Sequence, residues 1–255
     1  MKRLAVGRVT GARSSAMLDR DALRAEALRI HHRYVVEVVE ALGFCPWAAS
    51  ARAAGRVRSV VVFGDALGER HALRRDILRE IEALEHDERV DVGLLVFPEV
   101  AAGRIEFQHL AAEVRTQFAA RPERDPRHFA LADFHPDAAA DLGAPERLVP
   151  FIRRSPDPTF QLIRYAALDA TRAGAPGTRF VDMESLDRLG APQAAPVQPT
   201  HERIARANLR TVRQLGVERG EALILDILRD RDRSYGRLGV PLPPWRSVAP
   251  DAAKM

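Results

Sequence analysis

Three short segments carry residue types able to do chemistry. Gly43-Phe44-Cys45-Pro46-Trp47-Ala48 holds the only cysteine of the 255 residues. Asp133-Phe134-His135-Pro136-Asp137 sets a histidine between two carboxylates at a spacing of two. Arg153-Arg154-Ser155-Pro156-Asp157-Pro158 places two guanidinium groups ahead of a proline-framed turn. A thiol becomes a nucleophile when a neighbouring base and a lowered pKa make it a thiolate. Imidazole serves near neutral pH as a base or a metal ligand. On extended backbone Asp133, His135 and Asp137 share one face, as a metal site would require. Paired arginines clamp carboxylates, because each guanidinium binds them bidentately. Each segment also has a plainer reading. Cys45 can be a packed residue beside Trp47. His135 can be a strand-end residue bonded to a loop carbonyl, and the arginines can lie on the surface.

The elements that position these groups follow from hydrophobic periodicity. Leu28, His31, Val35, Val38 and Leu42 recur at three and four, so a helix is expected over about 20–42, stopped by Gly43. Pro46 suits the first turn of a short second helix, which puts Cys45 at or near its N-cap. Strands are expected at 57–63, 90–97 and 129–134, alternating with helices at 71–86 and 105–118. Strands alternating with helices imply a parallel sheet, with ligands beyond the carboxyl ends of the strands. Of the three ends, only the third carries a histidine, His135. A further helix is expected within 151–172, then two more over 201–215 and 220–235. The fold class is therefore α/β: a small, mostly parallel sheet of three to four strands, flanking helices and a C-terminal helical segment. Residues 1–17 read as a flexible N-terminus, 18–240 as one domain and 241–255 as a loose tail. The stretch 173–200 holds four prolines and reads as an insertion within the domain.

Composition narrows the function. There are 39 Lys and Arg against 35 Asp and Glu, a net charge of +4. The arginines mostly alternate with acids, and no basic stripe interleaved with aromatics appears, so nucleic acid is not an expected partner. The charged run Asp226–Arg237 reads as a solvated helix face. One cysteine excludes an internal disulfide and a multi-cysteine zinc site. No run has the apolar length of a membrane span, and the N-terminus lacks the apolar core of a signal peptide. A cytoplasmic protein is expected. The phosphate-binding glycine motifs, the Gly-x-Ser-x-Gly elbow and His-Glu-x-x-His are all missing.

Three segments in this order resemble the bacterial family called domain of unknown function 1415. They are Cys45-Pro46-Trp47, Phe134-His135-Pro136 and Arg154-Ser155-Pro156-Asp157-Pro158. The resemblance spans about 25–235. Asp157 departs from it, standing where the family often has an aromatic residue. More distantly, the same order is similar to haem-dependent N-oxygenases of the YqcI/YcgG type, which act on amines or amino acids. That resemblance implies haem as cofactor and His135 as its axial metal ligand. It implies Arg153 and Arg154 on the propionates or on a substrate carboxylate, with Cys45 and Trp47 lining the pocket. A haem-binding protein, and at its finest a haem-dependent oxygenase or oxidase of a small amine or amino acid, is the leading expectation. Two alternatives stand beside it. One is an enzyme using Cys45 as nucleophile and His135 as base. The other is a non-catalytic protein that binds a small molecule.

Overall fold

Asp19 starts the first helix: its carboxylate accepts from the backbone N–H groups of Asp21 and Ala22 at 3.1 and 3.0 Å. The computed structural model describes residues 19–45, 48–64, 70–119, 128–138, 140–168 and 200–247. Trp47, the N-terminus to 17 and nearly all of the proline-rich stretch 173–200 lie outside the described residues. Helix α1 (Arg20–Tyr34) runs on as a π-helical turn over Val35–Glu40. The chain then leaves the helix at Gly43, which takes φ +65°. Gly43 N–H donates to the Glu40 carbonyl and Phe44 N–H to that of Val39, the paired bonds of a Schellman cap. The buried stripe is Leu23, Ala27, Ile30, His31, Tyr34 and Val38. It is set one position away from the stripe expected through Leu28 and Val35, which are only half-buried.

The short helix α2 (Ala48–Ala53) precedes strand β1 (Val57–Val61). Then come α3 (Arg70–His86), β2 (Val92–Val96), α4 (Arg104–Ala119) and β3 (Phe129–Phe134). A single turn α5 (Val149–Ile152) leads into strand β4 (Thr159–Arg164). Helices α6 (Thr200–Leu215) and α7 (Val217–Arg237) follow. Within the stretch read as a loose tail, Pro244–Ser247 form a last turn, α8. No described helix is long and apolar enough to cross a membrane.

The sheet order is β1-β2-β4-β3. Strands β1, β2 and β3 point the same way, as the alternation of strands and helices requires. The expectation of a mostly parallel sheet nevertheless needs correction. Only β1 and β2 pair in parallel, because β4 inserts between β2 and β3 and runs antiparallel to both. Residues 159–164 were expected to be helical from the spacing of Leu162, Tyr165 and Leu168. Their burial instead has a period of two through Phe160, Leu162 and Arg164, and helix begins only at Tyr165. Arg164 takes an inward position by capping α3. Its guanidinium donates to the carbonyls of Leu84, Glu85, Asp87 and Val90 and lies 4.6 Å from the Phe129 ring centre.

Two apolar layers enclose the sheet. On one face Leu95, Phe97, Phe160 and Leu162 pack with Leu73, Ile77 and Ile81 of α3 and with Phe107, Leu110 and Val114 of α4. On the other face Val61 and Val96 meet Leu23 and Ala27 of α1 and Tyr235 of α7. The charged run of α7 is an interface, not a solvated face. Asp226 and Asp230 pair with Arg33, and Asp230 also pairs with Arg29, both arginines belonging to α1.

His31 sits inside this helical layer, 3% exposed, with no hydrogen-bond partner for either ring nitrogen. Burial pushes its pKa down from 6.5 to about 4, with the Asp157 charge opposing. Between those values the unfolded chain binds the proton and the folded chain does not. Stability is therefore fully present above about 6.5 and is lost as pH falls towards 4. The loss should reach about 3 kcal/mol. Urea unfolding from pH 7 to 4 should show it, and His31→Leu should flatten the profile. An unchanged profile in His31→Leu would exclude His31 as its source.

Candidate ligand site

The insertion of β4 brings two of the three chemical segments together. The carboxyl end of β3 leads to His135, and the start of β4 lies beside it, so the 153–158 loop arrives at the same sheet edge. Three bonds fix the loop there. His135 N–H donates to the Arg153 carbonyl at 3.1 Å, and Phe97 N–H to that of Pro158 at 3.0 Å. The buried Tyr34 hydroxyl donates to the Ile152 carbonyl at 2.9 Å. Burial pushes the Tyr34 phenol up, against the nearby charges of Arg153 and Arg154.

The loop turns on Asp157, which is fully buried. One carboxylate oxygen accepts from Arg231 Nε at 2.6 Å and the other from the Tyr235 hydroxyl at 2.7 Å. The Asp157 carbonyl accepts from the hydroxyls of Ser155 and Thr159 at 2.5 and 2.9 Å. Pro156 and Pro158 flank it and have no N–H to satisfy. Burial and the adjoining carboxylate push the Tyr235 phenol well above its ordinary value. Arg231 also lies over the Trp245 ring, whose edge meets His135 at 5.6 Å between centres. Both aromatic contacts escaped the sequence reading, because they come from α7 and from the supposed tail.

His135 takes the plainer of its two roles. Its Nε2 bonds to the Ala102 carbonyl at 3.0 Å, and its Nδ1 to the Asp137 N–H at 3.1 Å. A carbonyl can only accept and an N–H can only donate, so the ring is the neutral Nε2–H tautomer. Burial first of all lowers its pKa, which favours the same form. Neither nitrogen is open to iron or to a thiol, so the ring as placed fits neither the axial-ligand role nor the base role. The metal face expected from Asp133, His135 and Asp137 also dissolves. Asp137 uses its backbone against the ring, and no group of three ligating side chains able to hold a metal ion forms among the described residues.

A cavity of ≈ 140 Å³ opens at this edge, lined by Arg104 and Gln108 of α4, Asp133, His135, Val149, Pro150 and Arg153, with Ala138 beside them. That is about the size that holds a molecule of six heavy atoms, so a porphyrin would not enter. The expected arginine pair is divided. Arg154 is structural: it donates to the Pro136 carbonyl at 3.1 Å and reaches Glu221 at 3.4 Å. Arg153 faces the cavity, its guanidinium 5.4 Å from the centre of the Phe134 ring. Burial pulls its pKa down, with the Asp133 charge opposing, but a guanidinium stays charged at neutral pH. Among the described residues, no carboxylate lies within salt-bridge reach of Arg153 or Arg104. Asp133 is already held by Arg115 at 2.6 Å. Arg104 and Gln108 were missed, although their i, i+4 spacing at the start of a helix after a strand was a usable signal.

Cys45 is half-buried and lies three residues ahead of Ala48, the first described residue of α2; the proline expected to open that helix, Pro46, lies outside the described residues. It does not line the cavity. The pocket wall assigned to it from sequence is made instead by α4 and α5.

The fold and edge cavity define an α/β protein with one mixed four-stranded sheet and helices on both faces. The family model described as protein of unknown function (DUF1415) matches residues 26–194, and the chain belongs to that family. No curated protein and no solved structure matches it.

The Asp157 cluster yields a ranked outcome. Asp157→Asn should cost about 3–5 kcal/mol, because the buried Arg231 loses its fully buried counterion and keeps only the more exposed Asp232 at 3.2 Å. Tyr235→Phe removes one bond to a charged group and should cost about 1.5–3 kcal/mol. Urea unfolding of the two variants checks the order, and equal or reversed losses would contradict it.

Proposed function

We propose that this protein binds a small carboxylate-bearing molecule in the cavity at the carboxyl edge of the sheet, with Arg153 as its anchor. The observation that supports this is a half-buried guanidinium facing a cavity, with no carboxylate in salt-bridge reach among the described residues. A buried charge without a counterion is costly, and a ligand carboxylate supplies one bidentately. Arg104 and the positive end of α4 add potential of the same sign. Gln108 offers a neutral donor and acceptor. The reading stops at binding, because the one histidine of the cavity has both ring nitrogens occupied by backbone.

The haem reading, and with it an oxygenase of the kind the N-oxygenase resemblance suggests, requires His135 to release one of those bonds. It also requires the cavity to open several-fold. The nucleophile reading likewise requires His135, as base for Cys45, to give up one of its backbone bonds. Both are weaker on this geometry than simple anion binding.

Calorimetric titration with acetate and propionate should give saturable binding to the wild type. Arg153→Gln should weaken it about tenfold to a hundredfold, the worth of a hydrogen bond to a charged group. Equal affinity in the variant would refute the assignment. A Soret band on hemin addition that is lost in His135→Ala would transfer the site to haem.

A further inference from the structure

The cavity carries a negative group as well as its two arginines. Asp133, the next-to-last residue of β3, has one carboxylate oxygen bonded to Arg115 at 2.6 Å. Its other oxygen has no donor among the described residues, and the residue lines the cavity with Arg104, Gln108 and Arg153. Arg115 holds the carboxylate in place from outside the cavity. An internal ion pair between Asp133 and Arg153 would have closed the site on itself, yet the two side chains share no contact within salt-bridge distance. Their charges are near enough to influence each other. The space between them suits a molecule that brings the opposite charge to each.

We infer that the ligand is a small zwitterion, an α-amino acid with a side chain no larger than a methyl group. Its carboxylate meets Arg153 and Arg104, and its ammonium meets the open oxygen of Asp133. The size limit follows from ≈ 140 Å³, which admits about six heavy atoms. A dicarboxylate would set its second anion against Asp133, and a simple amine would leave Arg153 without a counterion. This inference rests on the anion-binding reading above and adds the second charge.

L-alanine and propionate differ by the ammonium group, so their comparison on the wild-type protein decides the matter without a variant. Calorimetry should show L-alanine or glycine binding at least about tenfold tighter than propionate or acetate. Methylamine should show no binding. Asp133→Asn, checked for an unchanged circular dichroism spectrum, should bring L-alanine down to the affinity of propionate. Propionate binding as tightly as L-alanine would overturn the zwitterion and leave the anion reading standing. Failure of both ligands to bind would overturn both. If Asp133→Asn does not fold, the wild-type ratio of the two affinities still gives the answer.

Discussion

The buried pair of Asp157 and Arg231 is the interaction on which the rest depends. Two charges leave water completely, at a cost of several kcal/mol each. That cost is offset because Nε and the Tyr235 hydroxyl meet the carboxylate at 2.6 and 2.7 Å, and Arg231 also reaches Asp232 at 3.2 Å. The pair joins the loop before β4 to α7, residues far apart in the chain. Alternative positions of the helical layer would strand one charge or the other. The pair therefore fixes where α7 lies across the sheet. Through α7 it fixes α1, held by the Arg29 and Arg33 bridges.

The loop that carries Asp157 also carries Arg153. Anchoring the one holds the other at the sheet edge. This is how an antiparallel strand changes the logic of the fold. In a wholly parallel sheet, the residues before a strand lie at the opposite edge from the ligand site. Here β4 runs against its neighbours, so its leading residues join the trailing residues of β3. His135 and Arg153, eighteen positions apart, become bonded neighbours through backbone alone.

The parts legible in the sequence were those with a strong local period. Leu73, Ile77, Ile81 and Leu84 marked the buried face of α3, and β3 fell on Phe129–Phe134 as expected. Strand β4 escaped because its inward positions end in a charged residue, and only the distant carbonyls of α3 make sense of Arg164. Arg231 escaped for a related reason. A pattern of apolar residues has no place for a buried cation whose partner is 74 positions away. His135 was singled out for chemistry by residue type, yet its rank as a ligand depended on two backbone partners that no local pattern reveals. Trp47 lies outside the described residues, and Cys45 stands away from the cavity that His135 and Arg153 share.

His135 is better understood as a rivet than as a reagent. With its amide and two ring nitrogens it ties together the loop after β2, the turn after β3 and the approach to β4. The frame around the cavity is thereby set by His135 and its main-chain partners, while the other lining side chains make none of these three bonds. Gln108, Val149 and Arg104 line the cavity without joining those three bonds. Such a fold separates the frame from the lining, so that the wall of the cavity is able to change while the architecture stays the same.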